Sequence, residues 1–73
     1  MTLHDLKLNT NGKIISINCT QEIKQRFIDL GFISGTKITP VLTSPSGNIR
    51  AYYIKDTLLA IRDDESKKIN IKF

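Results

Sequence analysis

Only one segment of this 73-residue chain has the periodicity of a helix, which restricts the chain to folds built mainly from strands. Between residues 20 and 30, apolar side chains recur at i, i+4 and i+7, namely at Ile23, Phe27 and Leu30. Two residues are N-cap candidates: Asn18, which has capping-box spacing to Gln21, and Thr20, which is a plain N-cap candidate. Gly31 follows the segment at a position where a left-handed glycine commonly ends a helix. We predict one short amphipathic helix, with Phe32 folding back onto it.

The remaining segments favour about five short strands, at residues 12–18, 36–42, 49–54, 57–62 and 69–73. They are rich in β-branched residues or alternate between apolar and polar side chains. Pro40 has no N–H to donate, so the second strand is predicted to lie at a sheet edge or to contain a bulge. The fourth strand is almost entirely apolar, which predicts burial on both faces. The polar residues 63–66 predict a single helical turn.

Short antiparallel strands in a chain of this size leave few open edges when they curl around a common core. We therefore predict a mainly β fold, a small and partly open β-barrel with one short helix, formed by residues 1–73 as a single domain. No disulfide can support it, because Cys19 is the only cysteine. The chain shows neither the pattern of a signal peptide nor an apolar run of the ~20 residues that span a bilayer, so we expect a cytoplasmic protein.

Eleven Lys and Arg against seven Asp and Glu give the chain a net charge of +4. Such an excess is compatible with nucleic acid, an anionic membrane or an acidic partner. The cations are scattered along the sequence, and most occupy alternate positions of the predicted strands. We interpret them mainly as the solvated outer faces of the sheet.

No catalytic constellation is evident. Nucleophilic catalysis needs a nucleophile next to a base, but His4 is the only histidine and Cys19 has no basic neighbour in sequence. The chain also lacks the glycine-rich motifs that bind phosphates or dinucleotides. We predict that the protein is not an enzyme and needs no cofactor.

A metal site is the first of two weaker signals. His4 and Asp5, together with Asp63, Asp64 and Glu65, could supply nitrogen and oxygen ligands to a divalent cation. Neither C-x-x-C nor H-x-x-x-H spacing is present, and acidic triplets are usually surface turns. We therefore assign no metal ligands from the sequence.

Nucleic-acid binding is the second weaker signal, because small barrels can bind single strands through basic faces with stacking aromatics. Arg50, Tyr52 and Ile54 share one face of the third strand, and Tyr53 lies on the other. We expect at least one of the two tyrosines to pack in the core, which leaves little of a stacking platform. Nucleic acid is not the expected partner.

The segment from Arg26 to Thr36 reads R-x-x-D-L-G-x-x-x-G-T and resembles the signature of the ferrous iron transport protein A (FeoA) family. Residues 44–48, S-P-S-G-N, resemble the A-P-x-G-D/N turn of that family, and residues 58–62, L-L-A-I-R, resemble its L-A-L-R strand. The matches run in order over nearly the whole chain. Three positions depart from the pattern: Ser34 replaces a frequent proline, Asp56 a common glycine, and Pro40 interrupts a normally regular strand.

This resemblance implies an SH3-like barrel that assists FeoB, a membrane-bound GTP-dependent ferrous iron transporter, from the cytoplasm. Most signature residues are expected to be structural: Arg26, Asp29, Leu30, Gly31, Gly35 and Arg62. We expect Gly31 to end the helix, Leu30 to enter the core, and Arg26 to make local charge contacts with Asp29.

The helix end with the following loop, and the turn near the middle of the chain, are predicted to form the partner-binding surface. Its residues are Leu30, Gly31, Phe32, Ile33, Ser34 and Gly35, together with Ser44, Pro45, Ser46, Gly47 and Asn48. Phe32 or Ile33 would be the apolar anchor, depending on which is exposed. The alternatives are a metal-sensing module that uses His4 or the acidic turn, and a small nucleic-acid-binding barrel.

Overall fold

The computed structural model, which describes all of residues 1–73, contains one five-stranded antiparallel sheet with the strand order β4-β3-β2-β1-β5. After a 3₁₀ turn at Leu3–Asp5, the elements are β1 (Gly12–Ile17), α1 (Gln21–Asp29), β2 (Lys37–Thr43), β3 (Ile49–Ile54), β4 (Thr57–Arg62), α2 (Asp63–Ser66) and β5 (Ile69–Lys72). The two edge strands, β4 and β5, do not pair with each other, so the sheet is not closed. The predicted fold, with five strands, one main helix and a single turn at residues 63–66, is confirmed.

Both ends of α1 follow from local chemistry. At the start, the Thr20 hydroxyl accepts a hydrogen bond from the Ile23 N–H at 3.5 Å, which confirms Thr20 as the N-cap. At the end, Gly31 adopts a φ of +101° and donates its N–H to the Ile28 carbonyl at 3.0 Å. The Phe32 N–H returns to the Phe27 carbonyl at 2.9 Å. These two bonds form a Schellman motif, which requires a left-handed residue at the position of Gly31.

Pro40 lies in β2, which is an interior strand of the sheet. Its carbonyl accepts the Asn9 N–H at 2.7 Å, so the side of the strand on which Pro40 lacks a donor faces the segment before β1. The pairing of β1 with β2 ends at Gly12 opposite Ile38, which is two residues before Pro40. The ladder with β3 shifts register between Pro40 and Leu42. The predicted bulge is therefore confirmed, and Pro40 occurs where no ladder donor is needed.

The prediction that β4 is buried on both faces is wrong. β4 is an edge strand with its outer face open, so Leu58 is 54% exposed and Ala60 is also exposed. Only Ile61 of this strand is fully buried. Its apolar sequence therefore does not indicate a central position.

The core lies between the inner face of the sheet, α1 and the first residues of the chain. Its largest buried side chains include Tyr52 and Phe32. Tyr53 points outward, so the expectation that one of the two tyrosines packs in the core is confirmed. The prediction that Leu30 enters the core is wrong, because Leu30 is the C-cap of α1 and remains 47% exposed. None of the helices has the length and apolar character needed to cross a membrane.

Candidate partner-binding surface

The structure separates the two segments that were predicted to form one surface. The loop of residues 30–35 precedes β2, whereas the turn of residues 44–48 follows it. A seven-residue strand spans roughly 20 Å from its first to its last residue. The two segments therefore lie at opposite ends of β2 and do not join, and we consider each by itself.

The loop after α1 is fixed by backbone hydrogen bonds. The Gly35 N–H donates to the Ile14 carbonyl at 2.7 Å, and the Thr36 N–H donates to the Ile33 carbonyl at 3.0 Å. Gly35 has a φ of +91°, a conformation that residues with a side chain rarely adopt. A loop held in this way presents its side chains in one geometry.

Of the two candidate anchors on this loop, only Ile33 is exposed. The side chain of Phe32 is 1% exposed and belongs to the core, whereas that of Ile33 is 48% exposed. Phe32 is therefore not part of a contact surface, because its ring is needed to close the end of the helix. Ile33 is thus an exposed apolar side chain of this segment, as Leu30 is at the helix end.

The Ile33 side chain lies at a shallow groove of about 250 Å³ between α1 and β1. We call this the Ile33 groove, and its accessible lining comprises Ile15, Ser16, Lys24, Ile28, Ile33 and Ser34. Ile15 is 45% exposed and lies where β1 shifts register against β5, between Ile14 and Ser16. Alternation from Lys13 places Ile15 on the outer face of β1, so this signal could have identified Ile15 as a surface residue, which the sequence analysis missed.

The turn of residues 44–48 has a structural explanation. The Ser44 hydroxyl accepts the Ile49 N–H at 3.2 Å, and the Gly47 N–H donates to the Ser44 carbonyl at 2.9 Å. Gly47 has a φ of +81°. These features close the hairpin between β2 and β3.

Arg26 and Asp29, the charged residues of the R-x-x-D-L-G segment, make contacts other than those predicted. Arg26 pairs with Glu65 of α2 at 2.5 Å and not with Asp29. Asp29 instead accepts a hydrogen bond from the Gln25 amide at 3.0 Å. Glu65 also accepts the Arg62 N–H at 3.4 Å. The prediction of an Arg26–Asp29 contact is wrong, because the partner of Arg26 comes from an element 39 residues away in sequence.

The residues considered for a metal site are partly brought together. His4 Nδ1 lies 3.6 Å from Asp63 Oδ1. Asp5 is engaged elsewhere, since its carboxylate accepts hydrogen bonds from the Thr2 N–H at 3.0 Å and from the Thr2 hydroxyl at 3.1 Å. These two hydrogen bonds lower the pKa of Asp5. Nowhere in the molecule do three His, Cys, Asp or Glu side chains come close enough together to hold a metal ion. His4 and Asp63 form a pair and not a three-ligand set.

Comparison with known proteins gives a consistent result along the whole chain. The family model described as the FeoA domain matches residues 1–72. A protein designated Fe(2+) transport protein A from Campylobacter jejuni is 27% identical over 71 residues, which cover 97% of this chain and 96% of that protein.

Two solved structures extend the likeness to three dimensions. The FeoA protein of Chlorobium tepidum is 25% identical, with a TM-score of 0.93 over 100% of this chain and 70% of the other. The zinc complex of FeoA from Stenotrophomonas maltophilia, described as an SH3 domain protein, is 28% identical, with a TM-score of 0.87 over 99% of this chain and 89% of the other.

Proposed function

This chain belongs to the FeoA family of ferrous iron transport proteins, and on that premise we propose that it is a cytoplasmic accessory protein that binds and regulates the membrane transporter FeoB. FeoB is the GTP-dependent Fe(II) transporter that the sequence resemblance implied. In this proposal the protein acts by binding and not by catalysis. The Stenotrophomonas maltophilia relative has been suggested as a ferrous iron transport activating factor, which supports the same kind of role here.

The observation that carries the proposal is the position of Ile33. An apolar side chain that is 48% exposed, on a loop fixed by hydrogen bonds and beside a groove, can be buried by a partner without reordering the loop. Burying an isoleucine completely contributes about 1.5–3 kcal/mol, so roughly half of that is still available at Ile33. Fewer than a third of interface residues contribute more than about 1 kcal/mol, so Ile33 would be among the stronger contacts.

The absence of reactive groups at the groove agrees with a binding role. Its lining contains Lys24 but neither His4, the only histidine, nor Cys19. The His4 imidazole lies beside Asp63, and Cys19 is partly buried against the core. A regulatory contact with a transporter needs shape and charge at this surface and no nucleophile.

The proposal is tested by titrating the folded protein against the cytoplasmic GTP-binding domain of FeoB and, separately, against the full detergent-solubilised transporter. Each titration is run with and without Fe²⁺. Saturable binding to either form is the expected result. If the folded protein binds neither form under either condition, the accessory role is wrong and the family membership describes only the fold.

Comparing the titrations with and without Fe²⁺ distinguishes the accessory role from metal sensing. If the affinity for FeoB is the same with and without Fe²⁺, the transporter is recognised by the protein surface without a bound metal ion. A dependence on Fe²⁺ that disappears in a His4→Ala variant would favour metal sensing at the pair of His4 and Asp63. A Lys7→Ala variant is the matched control, because Lys7 is an exposed residue outside that pair.

A further inference from the structure

Three lysines that are distant in sequence lie side by side on the outer face of the sheet. Lys13 of β1 is directly opposite Lys37 of β2 and, on its other side, directly opposite Lys72 of β5. Directly opposed residues point to the same face, with Cβ atoms about 4.5–5.5 Å apart. All three side chains are exposed. We call this set the lysine row.

The lysine row has no acidic counterpart within the molecule. The two ion pairs present, His4 with Asp63 and Arg26 with Glu65, involve none of its members. Asp56 borders the same shallow depression as Lys37, but its carboxylate accepts the Tyr53 hydroxyl at 3.0 Å. Like charges directly opposite each other destabilise a sheet. The lysine row therefore lowers the stability of the fold, and no contact within the molecule compensates for this.

The lysine row adjoins the Ile33 groove. Lys13 and Ile15 are both outward-facing residues of β1, and Ile15 lines the groove. Lys24 of α1 is the one lysine in the groove lining, which contains no acidic residue, and it adds a fourth ammonium group to the three of the lysine row. Apolar side chains and unpaired cations therefore form one continuous surface.

We propose that this surface docks an acidic, amphipathic segment of a partner protein, whose apolar side chains enter the Ile33 groove and whose carboxylates pair with the lysine row. The inference rests on the proposed function, in which that partner is the transporter, and adds the chemistry of the segment recognised. Charge complementarity selects the acidic segment, because it neutralises cations that the fold leaves unpaired. The groove accepts the apolar face, as grooves do for amphipathic helices.

An anionic membrane surface carries the same sign of charge as an acidic peptide segment, but it fits the shape of the Ile33 groove less well. Ile15 and Ile33 are 45% and 48% exposed and line a concave groove. Side chains that enter a bilayer project from a convex surface, and a groove leaves space that a flat lipid surface does not fill. A side chain from a folded or folding peptide can fill it.

The first test uses a synthetic 14-residue peptide of leucine and glutamate, with the leucines on one helical face, in a titration followed by amide NMR shifts. We expect shifts at residues 13–16, 24–28, 33–37 and 72, and an affinity that falls as salt is added. Replacing the glutamates with glutamine is expected to weaken binding at least about tenfold. Shifts confined to the outer face of β3 and β4, or no binding at all, would overturn the proposed chemistry.

The second test compares two triple variants with the same change in net charge. Lys13→Glu, Lys37→Glu and Lys72→Glu together are expected to weaken peptide binding at least about tenfold. Lys7→Glu, Lys67→Glu and Lys68→Glu together change exposed lysines outside the lysine row and the groove, and an effect below about twofold is expected. Equal losses in both variants would show that only net charge matters, and the site would be wrong.

The same two variants, titrated against the cytoplasmic domain of FeoB, separate this inference from the proposed function. If the transporter binds the wild type and the lysine-row variant equally, the docking site is wrong and the accessory role remains. If the transporter binds nothing while the peptide binds as described, the accessory role fails and the site remains. Lysine-dependent binding to vesicles of phosphatidylcholine and phosphatidylglycerol without peptide binding would replace the proposal with a membrane contact.

Discussion

The ring of Phe32 packs against the ring of Phe27, with centroids 5.1 Å apart and planes inclined at 53°. The same two residues are joined by the hydrogen bond from the Phe32 N–H to the Phe27 carbonyl. This double contact ends α1, seals one side of the core and leaves the next side chain, Ile33, facing outward. The binding surface that we propose therefore depends on a structural contact made one residue earlier.

Phe32 and Ile33 are predicted to differ sharply in their effect on stability. Phe32→Ala removes a ring that is 1% exposed and should lower the free energy of unfolding by about 3–5 kcal/mol. In a domain of this size, that corresponds to a fall in Tm of more than about 10 °C. Ile33→Ala should lower the free energy of unfolding by no more than about 1 kcal/mol. Urea denaturation of both variants measures the difference, and equal losses would contradict the assignment of Ile33 to the surface.

Lys13→Glu is predicted to stabilise the fold while weakening partner binding. It replaces two like-charge pairs, with Lys37 and Lys72, by two opposite-charge pairs. At about 0.2–1 kcal/mol for each pair, the free energy of unfolding should rise by roughly 0.5–1.5 kcal/mol at low salt. The gain should shrink in about 1 M NaCl, where the Debye length is only about 3 Å. Lys7→Glu is the charge-matched control, and the same gain there would contradict a specific repulsion within the row.

The turn between β3 and β4 is predicted to contain removable backbone strain. Lys55 and Asp56 have φ values of 49° and 61°, and neither is a glycine. Asparagine tolerates this region better than lysine, so Lys55→Asn should raise the free energy of unfolding by about 0.5–1 kcal/mol. Lys55→Ala shortens the side chain without relieving the backbone and serves as the control. Equal thermal denaturation midpoints for the two variants would contradict the strain.

Tyr52 is predicted to make stability fall at alkaline pH. Burial raises the pKa of Tyr52 above its ordinary value of 10.0, although nearby Arg50 and Ser66 oppose the shift. The folded state thus holds this proton more tightly than the unfolded state. The resulting stabilisation is fully present below pH 10 and is lost as pH rises through the folded pKa.

Tyr52→Phe should therefore show a shallower loss of stability above pH 10. At neutral pH it should cost little, because the Tyr52 hydroxyl is buried without a hydrogen-bond partner. Some slope should persist, since Asp56 also raises the pKa of Tyr53. Urea midpoints measured at several pH values test this, and identical profiles for wild type and variant would contradict it.

Features set by neighbouring residues could be predicted from the sequence. Thr20 and Gly31 mark the ends of α1 through hydrogen bonds that span only a few positions. Pro40 indicates a bulge because its missing N–H is a property of the residue itself. The number of strands followed in the same way from alternation and turn residues.

Features set by strand order and register could not be predicted. The apolar sequence of β4 is the same whether the strand is central or at an edge, and only the sheet order exposes Leu58. Arg26 finds Glu65 because α1 and α2 meet in the fold. The lysine row exists because antiparallel pairing aligns positions 13, 37 and 72, which are unrelated in sequence. The distributed cations therefore looked scattered until the register was known.

The measurement that tests the central claim most directly compares Ile33→Asp with Leu58→Asp in binding to the cytoplasmic domain of FeoB. The two side chains are 48% and 54% exposed in the wild type, so both variants place a carboxylate at a similarly accessible apolar position. Circular dichroism confirms that both are folded before calorimetric titration. We predict that Ile33→Asp weakens binding at least about tenfold, and that Leu58→Asp changes it by less than about twofold. Loss of binding in Leu58→Asp with Ile33→Asp unaffected would place the interface on the outer face of β3 and β4 and contradict the account.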